Sequence, residues 1–366
     1  MRVLLVGGAG FLGTNLASKL MDEGHEVFIL DSLLVNNVLA TQDFDPLHRA
    51  ILNDRKKILD KANTVIADAR DYTTFSPLCR SFKPEVIVHL AAVAHQDRAQ
   101  KSPHTTFDHS LRTLENSLDV ATNVGCKRLV YFSSSTVYGA WPDTGIVSEQ
   151  TECNPVGIYG SLKLAGELMV RAYSHATGLE HIIVRPSALY GPGCVSGRVI
   201  QRFIENALQG KSLNVRLNES LDFTHVSDLV EGVSLAIRSD KKNQTYNLTR
   251  GEGRTIADAA KIVQQHIPVG ISISNDGGDF PLRGTLDISK AKKELGYNPW
   301  YSLENGITDY IQWYRRFNAQ EVSSSGQIRL SRNEGKRTES RGKRTGEKRT
   351  GNGAKDENRH CTLKSP

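Results

Sequence analysis

Tyr159 and Lys163 stand four residues apart in Tyr159-Gly160-Ser161-Leu162-Lys163, a spacing that puts both side chains on one face of a helix. An ammonium beside a phenol favours the phenolate and lowers its pKa, giving a base usable near neutral pH. Such a pair also arises by chance, so it needs a scaffold that would place it. Upstream, Ser133-Ser134-Ser135-Thr136-Val137-Tyr138-Gly139 follows the apolar run Leu129-Val130-Tyr131-Phe132. Ser134 or a neighbour can hydrogen-bond a reacting hydroxyl or carbonyl oxygen. The same serines can equally be a polar turn that ends a strand.

The elements that must position these groups alternate in type. Residues 2–6 and 26–30 read as buried strands, with a helical apolar pattern from Phe11 to Met21 between them and Gly24 as its C-cap. Short apolar runs recur at 65–67, 86–90, 129–132 and 182–184. Helical segments separate them, including a charged excursion over 43–62. This alternation predicts an α/β fold, a Rossmann-type doubly wound parallel sheet. After Pro192 the rhythm changes: Val199–Leu208, 226–237 and Ile256–His266 read as helices and 245–248 as a short strand. Ser289–Leu295 and 303–317 close the folded part. The expected organisation is a dinucleotide-binding domain over 1–190, a smaller α/β substrate-binding domain over 191–317 partly interleaved with it, and a disordered basic tail over 318–366.

Gly7, Gly10 and Gly13 lie between the first strand and the first helix, the context in which a glycine triplet means a dinucleotide site. Gly7 permits the tight turn, Gly10 lets backbone approach a pyrophosphate, and Gly13 lets the helix pack on the strand. The helix N-terminus offers free N–H groups to phosphate. Gly7, Gly10, Phe11, Leu12 and Gly13 are therefore expected at the cofactor. Asp31 ends the second strand, where its carboxylate accepts from ribose hydroxyls and repels a 2′-phosphate, so the cofactor is NAD rather than NADP. Its positive nicotinamide ring would lower the Tyr159 pKa further. Asp68, beside Ala69 after the third strand, can accept from the adenine amino group or can cap the helix from Tyr72 onward; both readings stand.

Bulk composition narrows the partners. The formal net charge is +6, and residues 318–366 alone hold twelve basic and six acidic residues. The body is thus electroneutral and gives no argument for nucleic-acid binding. Five scattered cysteines without a CxxC pair argue against a disulfide framework or a zinc knuckle, and no metal is expected. The apolar start ends at Gly7, too soon for a signal peptide, and no stretch approaches a membrane span. A cytoplasmic location is the expectation.

Taken together, GGAGFLG at Gly7, VIADARD ending at Asp71, HLAA at His89, YFSSSTVYG ending at Gly139, YGSLK at Tyr159 and RPSALYGPG at Arg185 resemble one family. DFTHVSDLVEG at Asp222 and LDISKAKKELGY at Leu286 extend the match. The chain resembles the extended short-chain dehydrogenase/reductases, in the NAD-dependent epimerase/dehydratase group typified by UDP-glucose 4-epimerase, over roughly residues 1–317. The resemblance implies Ser134 as the catalytic hydroxyl, Tyr159 as general base and Lys163 as its partner. It places Ala69, Leu90, Ala91, Ala92, Ser110 and Pro186 along NAD together with Tyr159 and Lys163. It implies a nucleotide-sugar substrate, a UDP-sugar, contacted by Ser135, Thr136, Ala188, Cys194 and Arg283. It also implies a homodimer through the helices over 111–123 and 158–173.

Departures from the family bear on the reaction. Sugar 4,6-dehydratases of the family carry Asp-Glu after the catalytic Thr, and decarboxylating relatives carry Glu at the place of Thr136; here Ser135-Thr136 occupies both places. Ala188 stands where the epimerases have Asn, and Leu221 where an Arg is common. That leaves Arg283 as a diphosphate partner or a surface ion-pair residue. Cys194 is either an additional acid/base or a packed thiol, and His95 either touches the sugar or is exposed. The implied activity is C4 epimerisation through a 4-keto intermediate. The alternatives are a dehydratase or dehydrogenase drawing on Cys194, Thr136 and His95, and an idle NAD-binding scaffold, against which the intact Ser-Tyr-Lys set argues.

Overall fold

The computed structural model describes residues 1–34, 46–93, 96–142, 145–216, 219–274 and 283–325. His95 and most of the expected tail lie outside the described residues. The first half runs β1 (Arg2–Val6), α1 (Phe11–Asp22), β2 (Glu26–Asp31), α2 (Pro46–Lys61), β3 (Asn63–Ile66), α3 (Tyr72–Phe82), β4 (Val86–His89), α4 (Gln96–Lys101) and α5 (Pro103–Phe107). A π-helical turn, Asp108–Arg112, leads into α6 (Thr113–Asn123), β5 (Arg128–Phe132), β6 (Ile146–Val147), α7 (Ile158–Thr177) and β7 (Glu180–Arg185). Then follow β8 (Ala188–Tyr190), α8 (Val199–Leu208), β9 (Leu213–Arg216), β10 (Ser220–His225), α9 (Val226–Arg238) and β11 (Gln244–Asn247). The last elements are β12 (Gly253–Thr255), α10 (Ile256–His266), β13 (Ile271–Ser274), β14 (Thr285–Leu286), α11 (Ser289–Leu295) and α12 (Leu303–Ser325).

Seven strands form one all-parallel sheet in the order β11-β7-β5-β4-β1-β2-β3. The chain winds outward from β1 to β3, then returns to lay β4 on the other side of β1. That reversal opens a crevice at the strand C-termini, where ligands bind in such sheets. The side-chain period of two sorts each strand between two layers. Val3, Leu5, Val86, Val88, Val130 and Phe132 join the core on one face, with apolar residues of α1, α8, α9, α10 and α12. Leu4, Val6, Ile87, Leu129 and Tyr131 join the core on the other, with α3, α6 and α7.

The segment expected as a short strand of the smaller domain is β11, and it pairs in parallel with β7 as the edge of the main sheet. Residues Met1–Ser324 form one compact unit. The remaining strands make three small sheets, β12-β10-β8, β13-β9 and β14-β6. Helix α12 extends to Ser325, past the expected boundary at 317, because no Gly or Pro interrupts residues 318–325. No helix among the described residues is long and apolar enough to cross a membrane.

Candidate active site

A cavity of about 990 Å³ runs along the C-terminal edge of the sheet. Gly7, Gly10, Phe11, Leu12, Gly13, Asp31, Asp68 and Ala69 line it, as do Leu90, Ala91, Ala92, Pro186 and Lys163. Ser134, Ser135, Thr136, Tyr159, Ala188 and Arg283 also line it.

The glycine turn is shaped for a large anion. Gly7 has φ +80°, and a Cβ there would stand 2.6 Å from the Ala91 backbone. A Cβ on Gly13 would stand 2.4 Å from the Gly8 carbonyl oxygen. Gly10 caps α1 without a side-chain hydrogen bond, so the first N–H groups of the helix remain for a ligand. The Asp31 carboxylate accepts from the Ala9 N–H at 2.9 Å and the Leu33 N–H at 2.8 Å, tying the turn to the end of β2. Burial raises its pKa against these two hydrogen bonds and the Arg55 charge.

Of the two readings of Asp68, the helix cap belongs instead to Asp71, whose side chain accepts from the Thr73 and Thr74 N–H groups. Asp68 is held by Arg70, whose Nη2 lies 2.6 Å away and whose Nη1 lies 2.6 Å from Asp108. Burial works against ionisation of Asp68, but the Arg70 contacts prevail and lower its pKa.

The reacting end is built on β5 and α7. Ser134 is 8% exposed, and its oxygen accepts from the Thr136 N–H at 3.2 Å and the Thr136 hydroxyl at 3.0 Å. Ser135 is 1% exposed and its hydroxyl has no partner among the described residues. Lys163 Nζ donates to the Phe132 carbonyl at 2.7 Å and sits 5.9 Å from the Tyr159 ring centroid. Burial lowers the Lys163 pKa to about 8, against the pull of Glu167. Tyr159 is half-buried, and enclosure raises its pKa. Arg198, a hydrogen bond with Ser134 and Arg283 act in the opposite direction. Two arginines from the second half of the chain are thus among the positive charges that act on the phenol.

The sequence pattern of the NAD dependent epimerase/dehydratase family matches residues 3–249. The chain belongs to that family. It is 30% identical over 332 residues to UDP-glucuronic acid decarboxylase 1 of Xenopus tropicalis, covering 86% of this chain and 72% of that protein. A putative UDP-glucose 4-epimerase of Methanocaldococcus jannaschii is 29% identical over 330 residues, covering 86% and 99%. The solved dTDP-glucose 4,6-dehydratase of Streptomyces venezuelae, crystallised with NAD, superposes with a TM-score of 0.75 at 27% identity, covering 87% and 98%. The cofactor of this epimerase/dehydratase-family enzyme is NAD.

Two expected contacts of the family member sit elsewhere. Ser110, within the π-helical turn, is 5% exposed and is not among the residues lining the cavity, whereas His109 and Thr113 are. Cys194 is fully buried within the apolar core, its sulfur 3.3 Å from the Ser196 hydroxyl, while Val195 and Ser196 face the cavity. The packed reading of Cys194 is therefore the one the structure gives.

Behind the site lies a buried network. Arg185 meets Glu167 through Nε at 2.8 Å and Nη2 at 2.7 Å, and Ser133 donates to Glu167 at 2.6 Å. Arg185 also donates to the Tyr138 hydroxyl at 3.0 Å, which donates to Asn247 at 2.7 Å. Burial disfavours both ions, but their mutual contacts lower the Glu167 pKa and raise that of Arg185. The network joins the Ser134 loop, α7 and β11. Arg55 and Arg198, both lining the cavity, were not singled out by motif, since single arginines in helix-bearing segments carry no pattern.

Proposed function

We propose that this enzyme inverts a nucleotide sugar, a UDP-sugar, at C4 through a transient 4-keto intermediate. The observation that carries the reading is the pair of neutral hydroxyls, Ser135 and Thr136, lining the cavity immediately after Ser134. Elimination of water needs an additional acid and base near the sugar, and these two positions supply neither. Among the described residues the carboxylates in the cavity wall are Asp31, Asp68, Asp97 and Glu219, and the first two belong to the dinucleotide end.

The Gly7–Gly13 turn, Asp31 and the Leu90–Ala92 wall would hold NAD, which would supply the hydride acceptor and return the hydride. Tyr159 takes the proton of the C4 hydroxyl. Ser134 accepts from both donors of Thr136, which leaves its own O–H for Tyr159 and, with substrate bound, for the sugar oxygen. Arg198 and Arg283 favour the phenolate, and Arg283, in the cavity wall, would also serve the diphosphate. Lys163, 5.9 Å from the Tyr159 ring centroid and anchored on Phe132, holds a positive charge beside the base and would also hold NAD. Two copies pair through α6 and α7 in this reading, a contact that would cover Leu168, 58% exposed on α7.

Incubation with UDP-glucose, UDP-glucuronic acid and dTDP-glucose, followed by proton NMR and mass spectrometry, tests the assignment. C4 inversion at unchanged mass is expected. Loss of water, loss of carbon dioxide or net NADH formation overturns it. Tyr159→Phe should lower the rate by about 10²- to 10⁴-fold while leaving copurified NAD in place.

A further inference from the structure

Arg55 lies on α2, outside every motif of the sequence, yet it is 5% exposed and lines the cavity. It donates to the Ala9 carbonyl at 3.3 Å and the Gly193 carbonyl at 2.8 Å. Ala9 belongs to the glycine turn. Gly193 opens the segment that ends on Arg198, the N-cap of α8. One guanidinium therefore joins the dinucleotide turn to the segment that carries charge toward Tyr159.

Those hydrogen bonds leave the cation poorly compensated. A guanidinium has five N–H donors, and among the described residues two are used here, both on neutral carbonyls. Asp31 attracts it across space, but both Asp31 oxygens are engaged by the Ala9 and Leu33 N–H groups. A desolvated cation is costly unless an anion is brought to it. The site expects such an anion, because NAD carries a pyrophosphate to the same turn.

Helix α2 grips the segment at a second point. His48 Nε2 lies 2.9 Å from Glu205 Oε1, which also accepts from Gln201 at 3.0 Å. Gln201 Oε1 in turn accepts from the Gly197 N–H at 3.0 Å. Residues 193–197 are thus held at both ends, and the end nearer the cofactor depends on Arg55.

We propose that Arg55 is a positioning residue that couples retention of NAD to placement of the 193–198 segment, with the cofactor's pyrophosphate as its counter-charge. The proposal rests on NAD binding and not on which sugar is turned over. Failure of the C4 assignment therefore leaves it standing.

The test compares wild type, Arg55→Met and Arg55→Lys, each stripped of NAD and checked by circular dichroism. Affinities for NAD, ADP, adenosine and NADP are measured by calorimetry. Cleavage by trypsin after Arg198 is followed with and without NAD. Arg55→Met should weaken NAD and ADP about tenfold to a hundredfold while adenosine changes little, since only the first two carry the diphosphate. NAD should slow cleavage after Arg198 in wild type and not in Arg55→Met. An unchanged NAD affinity, an equal loss for adenosine, a loss confined to NADP, or equal protection of both proteins overturns the proposal. Should Arg55→Met not fold, Arg55→Lys decides by the same comparison: it keeps the charge without the planar fork, so a selective loss of NAD and ADP over adenosine is required.

Discussion

A Cβ on Gly166 would stand 2.1 Å from the phenol oxygen of Tyr131. Helix α7 therefore lies directly on β5, and this close contact sets the height of Tyr159 and Lys163 above the sheet. Gly166→Ala should destabilise the fold by about 1–3 kcal/mol, the range for overpacking a filled core. It should also lower the turnover rate, since the displaced helix carries the base. Adding Tyr131→Phe removes the oxygen that clashes first and should recover part of both losses. Thermal melts and rates for the two single variants and the double variant check this; strict additivity would mean that the contact does not set the helix position.

Glu167 and Arg185 form a pair in which both side chains are almost wholly buried. Removing one charge leaves the other buried without its counter-ion. Glu167→Gln should cost about 3–5 kcal/mol in urea unfolding, far above the 0–1 kcal/mol of an exposed pair. The double replacement Glu167→Leu with Arg185→Met should regain most of that stability. A loss below 1 kcal/mol for Glu167→Gln would show that water reaches the pair.

Burial pushes the Asp222 carboxyl up to about 7, against the hydrogen bonds it accepts from Leu286, Thr249, Gly251 and Arg250. Between its ordinary value of 3.8 and about 7 the folded chain holds a proton that the unfolded chain releases. Raising the pH through that window therefore removes stability, and above it the contribution is flat. His181 and His225, lowered to about 4 by burial, and His89, lowered to about 3, bind protons less readily when folded and give the opposite slope up to about pH 6.5. The measurement is thus the difference between wild type and Asp222→Asn in urea unfolding at several pH values from 4.5 to 8. The stability of wild type relative to the variant should fall as pH rises toward 7. A difference independent of pH would place the Asp222 pKa in the ordinary range.

Much of this was readable because it rests on local periodicity. Residues 2–6 and Phe11 onward alternate and repeat as strand and helix must, and the turn between them has glycine at the positions where backbone approaches backbone. Tyr159 and Lys163 were readable because four residues span one helical turn. What escaped depends on distance in space. Arg55 reaches Ala9 and Gly193 only after α2 folds back over the turn, and Arg198 acts by its charge on Tyr159 from a distant part of the chain. Ser110 lies buried in a π-helical turn, away from the cavity lining, and such a turn leaves no compositional mark. Cys194 follows a motif at the mouth of the site, yet turns into the core while its two successors face the cavity.

The seventh strand gives the molecule an order of assembly. Residues 244–247 close the edge beside β7, so more than fifty residues separate the two neighbours along the chain. During synthesis the other six strands leave the ribosome first, with the backbone groups of β7 on that side unpaired. Such an edge is an adhesive template for other chains. Pairing across so long a loop is also slow, because its closure entropy is met before its contacts form. The nascent chain is thus most vulnerable to misassembly between the emergence of residue 185 and that of residue 247, a window in which its dinucleotide turn is already complete.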